Sequence, residues 1–226
     1  MYVDQYWSHS YIPSLVRADG YLIDIGFYGG GFSSHLSPRC KGILAFEPDP
    51  RWQRAPSSLR NVTVVPKAIG ATAGMRKLFL NDAQCSSFHH GEPSARSIEV
   101  QAITLEDALS FLPDSRIDLV KMDIEGEELS VLADVKPATL ERVVQLAVEF
   151  HDFLDPDAVP KIRKVLARMA ALHFVAFKFS LNNYGDVLFL NRNLVEIGSH
   201  ERLWILMRYK YARGVARWIG RRFRSE

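Results

Sequence analysis

LIDIGFYGGG, residues Leu22–Gly31, joins a short apolar run to a turn holding Gly26, Gly29, Gly30 and Gly31. The run is the length of a buried strand and ends on a carboxylate, Asp24, one residue before the turn begins. Glycines there permit positive φ and leave no Cβ in the path of a ligand, while the start of a following helix offers free backbone N–H groups. A nicotinamide-binding GxGxxG fails in both registers: from Gly26 the third position is Tyr28, and from Gly29 the sixth is Ser34. What remains is DxGxxxG at Asp24, Gly26 and Gly30, in which the strand-end acid is free to face an ammonium group. The competing reading is a plain turn with Asp24 as a helix cap.

Outward from this turn the pattern repeats. YLIDIG at 21–26, GILAFE at 42–47 and NVTVVP at 61–66 are short, apolar and punctuated by Gly, Pro and Asp; IDLVKMDI, VVQLAVEF, HFVAFKF and DVLFLN continue the series. Helix-compatible segments lie between them. DAVPKIRKVLARMAALH places Val159, Ile162, Val165, Leu166 and Met169 on one side. Alternation of this kind predicts an α/β, Rossmann-like fold, a mostly parallel sheet with helices on both faces. MRKLFL and SIEVQAI depart from it and read as a pair of extended segments flanking the polar loop NDAQCSSFHHGEPSAR, where substrate contacts are commonly placed.

Three further clusters carry chemistry. Glu47 closes the second strand 23 residues after Asp24, the place from which an acid holds ribose hydroxyls in nucleotide-binding α/β folds. IDLVKMDIEGEE delivers Asp123 and Glu125 to a strand end ahead of Gly126; acids complementing a helix N-terminus explain Glu125, Glu127 and Glu128 better than one as early as Asp123. VVQLAVEFH brings Glu149 and His151 to the end of the next strand, making His151 the leading general-base candidate, set against an ordinary hydrogen-bonded histidine. In the polar loop, Ser86, Ser87 and His89 are substrate-binding candidates. No histidine pair has convincing metal-ligand spacing, so no metal is assigned, and a divalent ion held by Asp123 and its neighbours stays as an open alternative that nothing in the sequence demands.

Length and composition bound the rest. With 226 residues, 47% of them hydrophobic, the chain can bury one substantial core. Cys40 and Cys85 are too few for a disulfide framework, there is no secretory pattern at the start, and no apolar run approaches a membrane span. A cytoplasmic location is therefore expected. From Ser199 onward eight Lys/Arg face two acids, so residues 199–226 carry +6 and residues 1–198 carry −4 of the overall +2. The acidic body argues against nucleic acid as a partner. The tail reads as a basic amphipathic helix with Trp204, Met207, Tyr211, Val215 and Trp218 along one stripe, suited to packing on the domain or to peripheral membrane or protein contact. The division is thus a domain over 1–198 and a terminal helix over 199–226.

From about Gly20 to Asn191 the chain resembles the FkbM-type methyltransferases. The likeness rests on LIDIGFYGGGFS, AFEPDP, KAIG, the Ser86–Ser87 pair, ITLEDAL, VKMDIEGEE, VEFH and GDVLFL in that order. The resemblance implies the class I methyltransferase form of the Rossmann-like fold, with seven strands of which DVLFLN runs antiparallel. It implies S-adenosyl-L-methionine as cofactor, with Asp24, Gly26 and Gly30 around its methionine part, Glu47 on its ribose and Ala68 near its adenine. Asp123 would also touch the cofactor and, with Glu125, face the reaction centre, and the acceptor would be a hydroxyl on a sugar, glycan or small molecule. Phe27 and Tyr28 replace the Ala-Asn that many members carry after the first motif glycine, and the segment before the first motif is short, so a lid supplied there would be reduced. The competing functions are a noncatalytic cofactor-binding or scaffold protein docking through its tail, and a nucleotide-dependent oxidoreductase, which lacks its glycine fingerprint here.

Overall fold

The computed structural model describes residues 1–80, 96–153 and 155–212. Its centre is a seven-stranded sheet built from β3 (Tyr21–Ile25), β4 (Gly42–Phe46), β5 (Val62–Val65), β9 (Ile117–Met122), β10 (Gln145–Val148), β11 (Phe174–Lys178) and β12 (Val187–Asn191). Their order across the sheet is β11-β12-β10-β9-β3-β4-β5. β12 runs antiparallel to both its neighbours, and the pairs β10–β9, β9–β3, β3–β4 and β4–β5 are parallel. The expected Rossmann-like architecture is present, with DVLFLN as the antiparallel strand.

Both faces are covered, so the central strands are apolar on both sides. On one, Ile23, Ile25, Val120, Leu146 and Phe189 pack with α2 (Leu105–Ser110), α3 (Glu128–Asp134), α4 (Pro137–Leu140) and α5 (Val159–Ala171). Ile162, Val165 and Met169 form the buried side of α5, four residues or fewer apart as its sequence requires. On the other, Leu22, Ile43 and Leu119 meet Phe32 and Leu36 of α1 (Gly31–Leu36). Thr104 and Asp107 close a reciprocal capping box at the start of α2.

Two smaller sheets flank the central one. β7 (Gly74–Leu80) and β8 (Arg96–Ile103) pair antiparallel, as their sequences suggested, and β6 (Ala68–Ile69) adds in parallel to β8. At the N-terminus, β1 (Asp4–Tyr6) and β2 (His9–Tyr11) form a hairpin whose turn holds Trp7 at φ 54°. The hairpin is bolted to the central sheet by polar groups. Gln145 accepts from the Ile12 N–H and donates to the Ile12 carbonyl, and Asp186 accepts from the Ser10 N–H, the Ser10 hydroxyl and the Gln5 amide.

The tail begins as α6 (Ser199–Ile205) and continues in π-type turns from Leu206 to Ala212. It docks through Ile205 and Tyr209, both buried against Val3, Ile12 and Leu188, whereas Trp204 and Met207 of the stripe read from the sequence stay exposed. Ile205 and Tyr209 are four residues apart, so the regular helical period allows this pair as well, and the stripe that docks is the one beginning a residue later than Trp204. The expected continuation through Val215 and Trp218 lies outside the described residues. Among the described residues no helix is long and apolar enough to cross a membrane.

Candidate functional site

The carboxyl ends of β3, β4 and β9 form one wall of a small cavity, about 100 Å³, lined by Gly26, Tyr28, Glu47, Trp52, Ala68 and Asp123 together with Ile124 and Glu125. Four of the residues assigned to the cofactor, Gly26, Glu47, Ala68 and Asp123, therefore share one pocket. Its volume is below the roughly 300 Å³ at which ligand pockets usually begin. The exposed ring of Tyr28 leans on Trp52, tilted by 39° at 4.3 Å between centroids, and both rings line the pocket.

Glu47 is buried and oriented by backbone donors: the Tyr28 N–H reaches Oε2 at 3.0 Å and the Asp49 N–H reaches Oε1 at 2.9 Å. Burial raises its pKa against these same hydrogen bonds. Each carboxylate oxygen retains a further lone pair for a hydroxyl donor. Gly26 has φ 84°, and a Cβ there would lie 1.9 Å from the Asp123 carbonyl oxygen. The main demand on Gly26 is thus the close packing of β3 against the end of β9. Gly30, at φ 84°, stands over the Phe27 ring, which a Cβ would meet at 2.4 Å, and does not line the pocket.

Asp24 lies below the turn, almost fully buried. It accepts from the Ser33 hydroxyl at 2.7 Å and faces Lys121 Nζ at 3.4 Å. Asp24 and Lys121 are register partners on the adjacent parallel strands β3 and β9, which puts their side chains on one face of the sheet. Lys121 donates to the Gly26 carbonyl at 2.5 Å and approaches Asp123 Oδ2 at 3.5 Å, tying the glycine turn to the end of β9. Burial lowers the Lys121 pKa, but Asp123 and Asp24 outweigh it and hold the ammonium charged. The signal of Lys121 in the sequence is a lone cation inside IDLVKM, a strand apolar but for Asp118.

At the edge of the pocket, five side chains meet at the ends of β9 and β10. His151 Nε2 lies 3.3 Å from Glu125 Oε2 and 3.6 Å from Asp123 Oδ1, and His9 Nε2 lies 3.3 Å from Asp123 Oδ2 and 3.8 Å from Glu149 Oε2. The Ser8 hydroxyl donates to Glu149. The structure thus brings together Asp123, Glu125 and His151 and adds His9, Glu149 and Ser8. Nothing in the N-terminal sequence marks His9, because its role exists only once the hairpin is docked. Glu125 holds φ 54° and Gly126 φ 106°, a left-handed turn that costs energy at the glutamate and aims its carboxylate at His151.

Charge dominates this cluster. Burial pushes the Asp123 carboxyl up, but Lys121, His9 and His151 together hold it well below the usual carboxylate range. Burial pulls the His151 imidazole down, while Glu128, Glu125 and Asp123 more than reverse it, to about 9. In the ligand-free protein His151 is therefore charged at neutral pH and has no lone pair with which to accept a proton.

Two clefts reach the cluster. One, of about 440 Å³, is lined by Trp7, Ser8, Glu149, Phe153, Asn183 and Asp186, among others. The other, of about 860 Å³, runs between α3 and α5 and touches His151 and Glu128. Ser86, Ser87 and His89, the residues expected to hold substrate, lie outside the described residues.

A model of the methyltransferase FkbM domain matches residues 31–175. The chain belongs to the FkbM methyltransferase family. The matched region takes in Glu47, Ala68, Asp123, Glu125, Glu149 and His151 and leaves Asp24, Gly26 and the N-terminal hairpin before it. The protein is an S-adenosylmethionine-dependent methyltransferase of Rossmann-like fold, which sets the oxidoreductase reading aside. No curated protein sequence matches the chain. Among solved structures it is similar to an rRNA methylase from Streptococcus thermophilus at TM-score 0.47 and 13% identity, covering 78% of this chain and 88% of that one. It is also similar to a protein of Streptococcus mutans described as a methyltransferase, in complex with SAH, at 0.43 and 16%, with the same coverages. The N-methyltransferase NodS from Bradyrhizobium japonicum matches at 0.40 and 11%, again over 78% and 88%. None of these values bears on the acceptor.

Proposed function

We propose that this methyltransferase transfers the methyl group to a hydroxyl oxygen of a sugar, glycan or similarly polar small molecule. The observation that carries the reading is the position of the histidine–carboxylate cluster between two cavities. Asp123 and Glu125 line the pocket beside Glu47, and Glu149 lines the cleft on the far side. A hydroxyl entering from the cleft meets carboxylates that accept its hydrogen bond at the point where the sulfonium methyl would emerge.

The cleft suits a polyhydroxylated guest. Trp7 is 84% exposed and Phe153 50%, flat apolar faces of the kind that sugar C–H groups cover, and Ser8, Asn183 and Asp186 supply donors and acceptors between them. The chemistry asked of the protein is modest because the cofactor supplies an activated methyl group. The acceptor O–H bond breaks as its proton passes to a carboxylate of the cluster, an oxygen lone pair forms the new bond to the methyl carbon, and the carbon–sulfur bond breaks to release neutral S-adenosylhomocysteine. The side chains align the acceptor, shield the site from water and hold that proton.

Incubation with methyl-labelled cofactor and a panel of sugars, glycans and hydroxylated metabolites tests the reading by mass spectrometry. A gain of one labelled methyl group, stable to conditions that cleave methyl esters and located on oxygen by fragmentation, is the expected result. Transfer to nitrogen or carbon would overturn the oxygen assignment.

A further inference from the structure

The cluster at the ends of β9 and β10 divides about Asp123. Oδ2 faces His9 and Lys121, with Glu149 beside the same His9 nitrogen, and Oδ1 faces His151 Nε2, which Glu125 also approaches. The second half has the construction of a metal centre. Its donor atoms, one imidazole nitrogen and two carboxylate oxygens from different residues, all lie within 4.8 Å of one another. The separation of 3.3 Å between His151 Nε2 and Glu125 lies within, and that of 3.6 Å to Asp123 just above, the roughly 3.0–3.5 Å between neighbouring ligands bound about 2.1 Å from a divalent ion.

The surroundings agree with the donor set. A histidine that ligates a metal usually has its other ring nitrogen held by a carboxylate. Here His151 Nδ1 stands 3.1 Å from Glu128 Oε1, and Glu128 is itself fixed by the Ile124 N–H at 2.7 Å and the Gly126 N–H at 3.0 Å. The imidazole is more than nine-tenths buried, whereas the Asp123 and Glu125 side chains are 26% and 22% exposed. The ligands are thus rigid behind and open in front, toward the cavity that both acids line. Lys121 does not fill the place, since it approaches Oδ2 and is engaged with Asp24 and the Gly26 carbonyl.

We propose that Asp123, Glu125 and His151 bind one divalent transition-metal ion of the Mn²⁺ or Zn²⁺ type. The imidazole nitrogen favours such ions over Mg²⁺ or Ca²⁺, which take oxygen ligands. Positions left open toward the cavity would accept the acceptor's hydroxyl oxygen, whose proton is then lost more readily. That last role rests on the methyl-transfer reading above; the binding of the ion does not.

The test uses the full chain, stripped with a chelator and titrated with Mn²⁺ while the free ion is followed by electron paramagnetic resonance. One Mn²⁺ per chain is expected, displaced by Zn²⁺. Glu125→Gln and His151→Gln should each weaken binding by at least about tenfold, and Glu128→Gln by roughly 10- to 100-fold through the loss of orientation. His9→Gln should leave it little changed. Calorimetry with S-adenosylmethionine on the same samples shows that each variant is folded, and separates a failure of the metal site from a failure of the cofactor reading. Absence of stoichiometric binding by the intact chain, even in millimolar excess of either ion, overturns the proposal. So does binding that survives both Glu125→Gln and His151→Gln, or that disappears with His9→Gln alone.

Discussion

The half of the site proposed to hold the cofactor and the half proposed to receive the acceptor stand next to each other and are built differently. On the cofactor side, Gly26, Glu47 and Ala68 come from β3, β4 and β6 or the turns after them, and backbone geometry does most of the positioning. On the acceptor side, Asp123, Glu125, Glu149, His151 and His9 come from two central strands and the N-terminal hairpin, and each is placed by charged or polar neighbours. The first half is intolerant of added atoms. The second is intolerant of lost charges.

Gly26→Ala should break the comparison most severely, because the two halves meet at this residue. The new Cβ would lie 1.9 Å from the Asp123 carbonyl oxygen, on a backbone at φ 84° that alanine disfavours. A stability loss of about 3 kcal/mol or more is expected, with cofactor binding and turnover falling together. Thermal melts and calorimetry check it; unchanged melting would mean that the strand ends can part freely.

His151→Ala should separate the halves. It removes the side chain at the centre of the acceptor cluster and touches nothing in the Glu47 half of the pocket. Turnover should fall by roughly 10²-fold, because Asp123 and Glu125 lose the imidazolium that orients them, while S-adenosylmethionine affinity changes little. A proportionate loss of both would show that His151 supports the cofactor instead.

Glu47→Ala is the converse. Losing a charged hydrogen-bond partner should cost about 1.5–3 kcal/mol in cofactor binding measured by calorimetry. With cofactor saturating, the rate should recover much of its value. A variant that binds S-adenosylmethionine normally would remove Glu47 from the ribose.

The smallest effect concerns how the hairpin is held. Burial lifts the Asp186 carboxyl from 3.8 to about 6, although the donors on Ser10 and Gln5 and the charge of His9 pull the other way. Between about pH 4 and 6 the folded chain therefore binds more protons than the unfolded one, and stability falls as pH rises through that window. Asp186→Asn should flatten that slope, about 1.4 kcal/mol per pH unit at most, in denaturant titrations run across the range. An unaltered slope would assign it to another group.

The sequence by itself determined the layered α/β fold, the antiparallel last strand and the pocket residues Gly26 and Glu47, because strand periodicity and glycine turns are local properties that a linear chain displays. It also brought Asp123, Glu125 and His151 to neighbouring strand ends, since each follows an apolar run of readable length. Tertiary structure decided what a line of residues does not encode. Lys121 is an ion-pair partner only because β9 lies in register beside β3, and His9 belongs to the site only because Gln145 and Asp186 dock a hairpin more than a hundred residues away in sequence. The tail makes the same point: Ile205 and Tyr209, not Trp204 and Met207, face the core, because helical spacing allows either stripe and only the docked surface of Val3, Ile12 and Leu188 selects one. Charges and contacts of this kind depend on distance in space, which the order of residues along the chain leaves open.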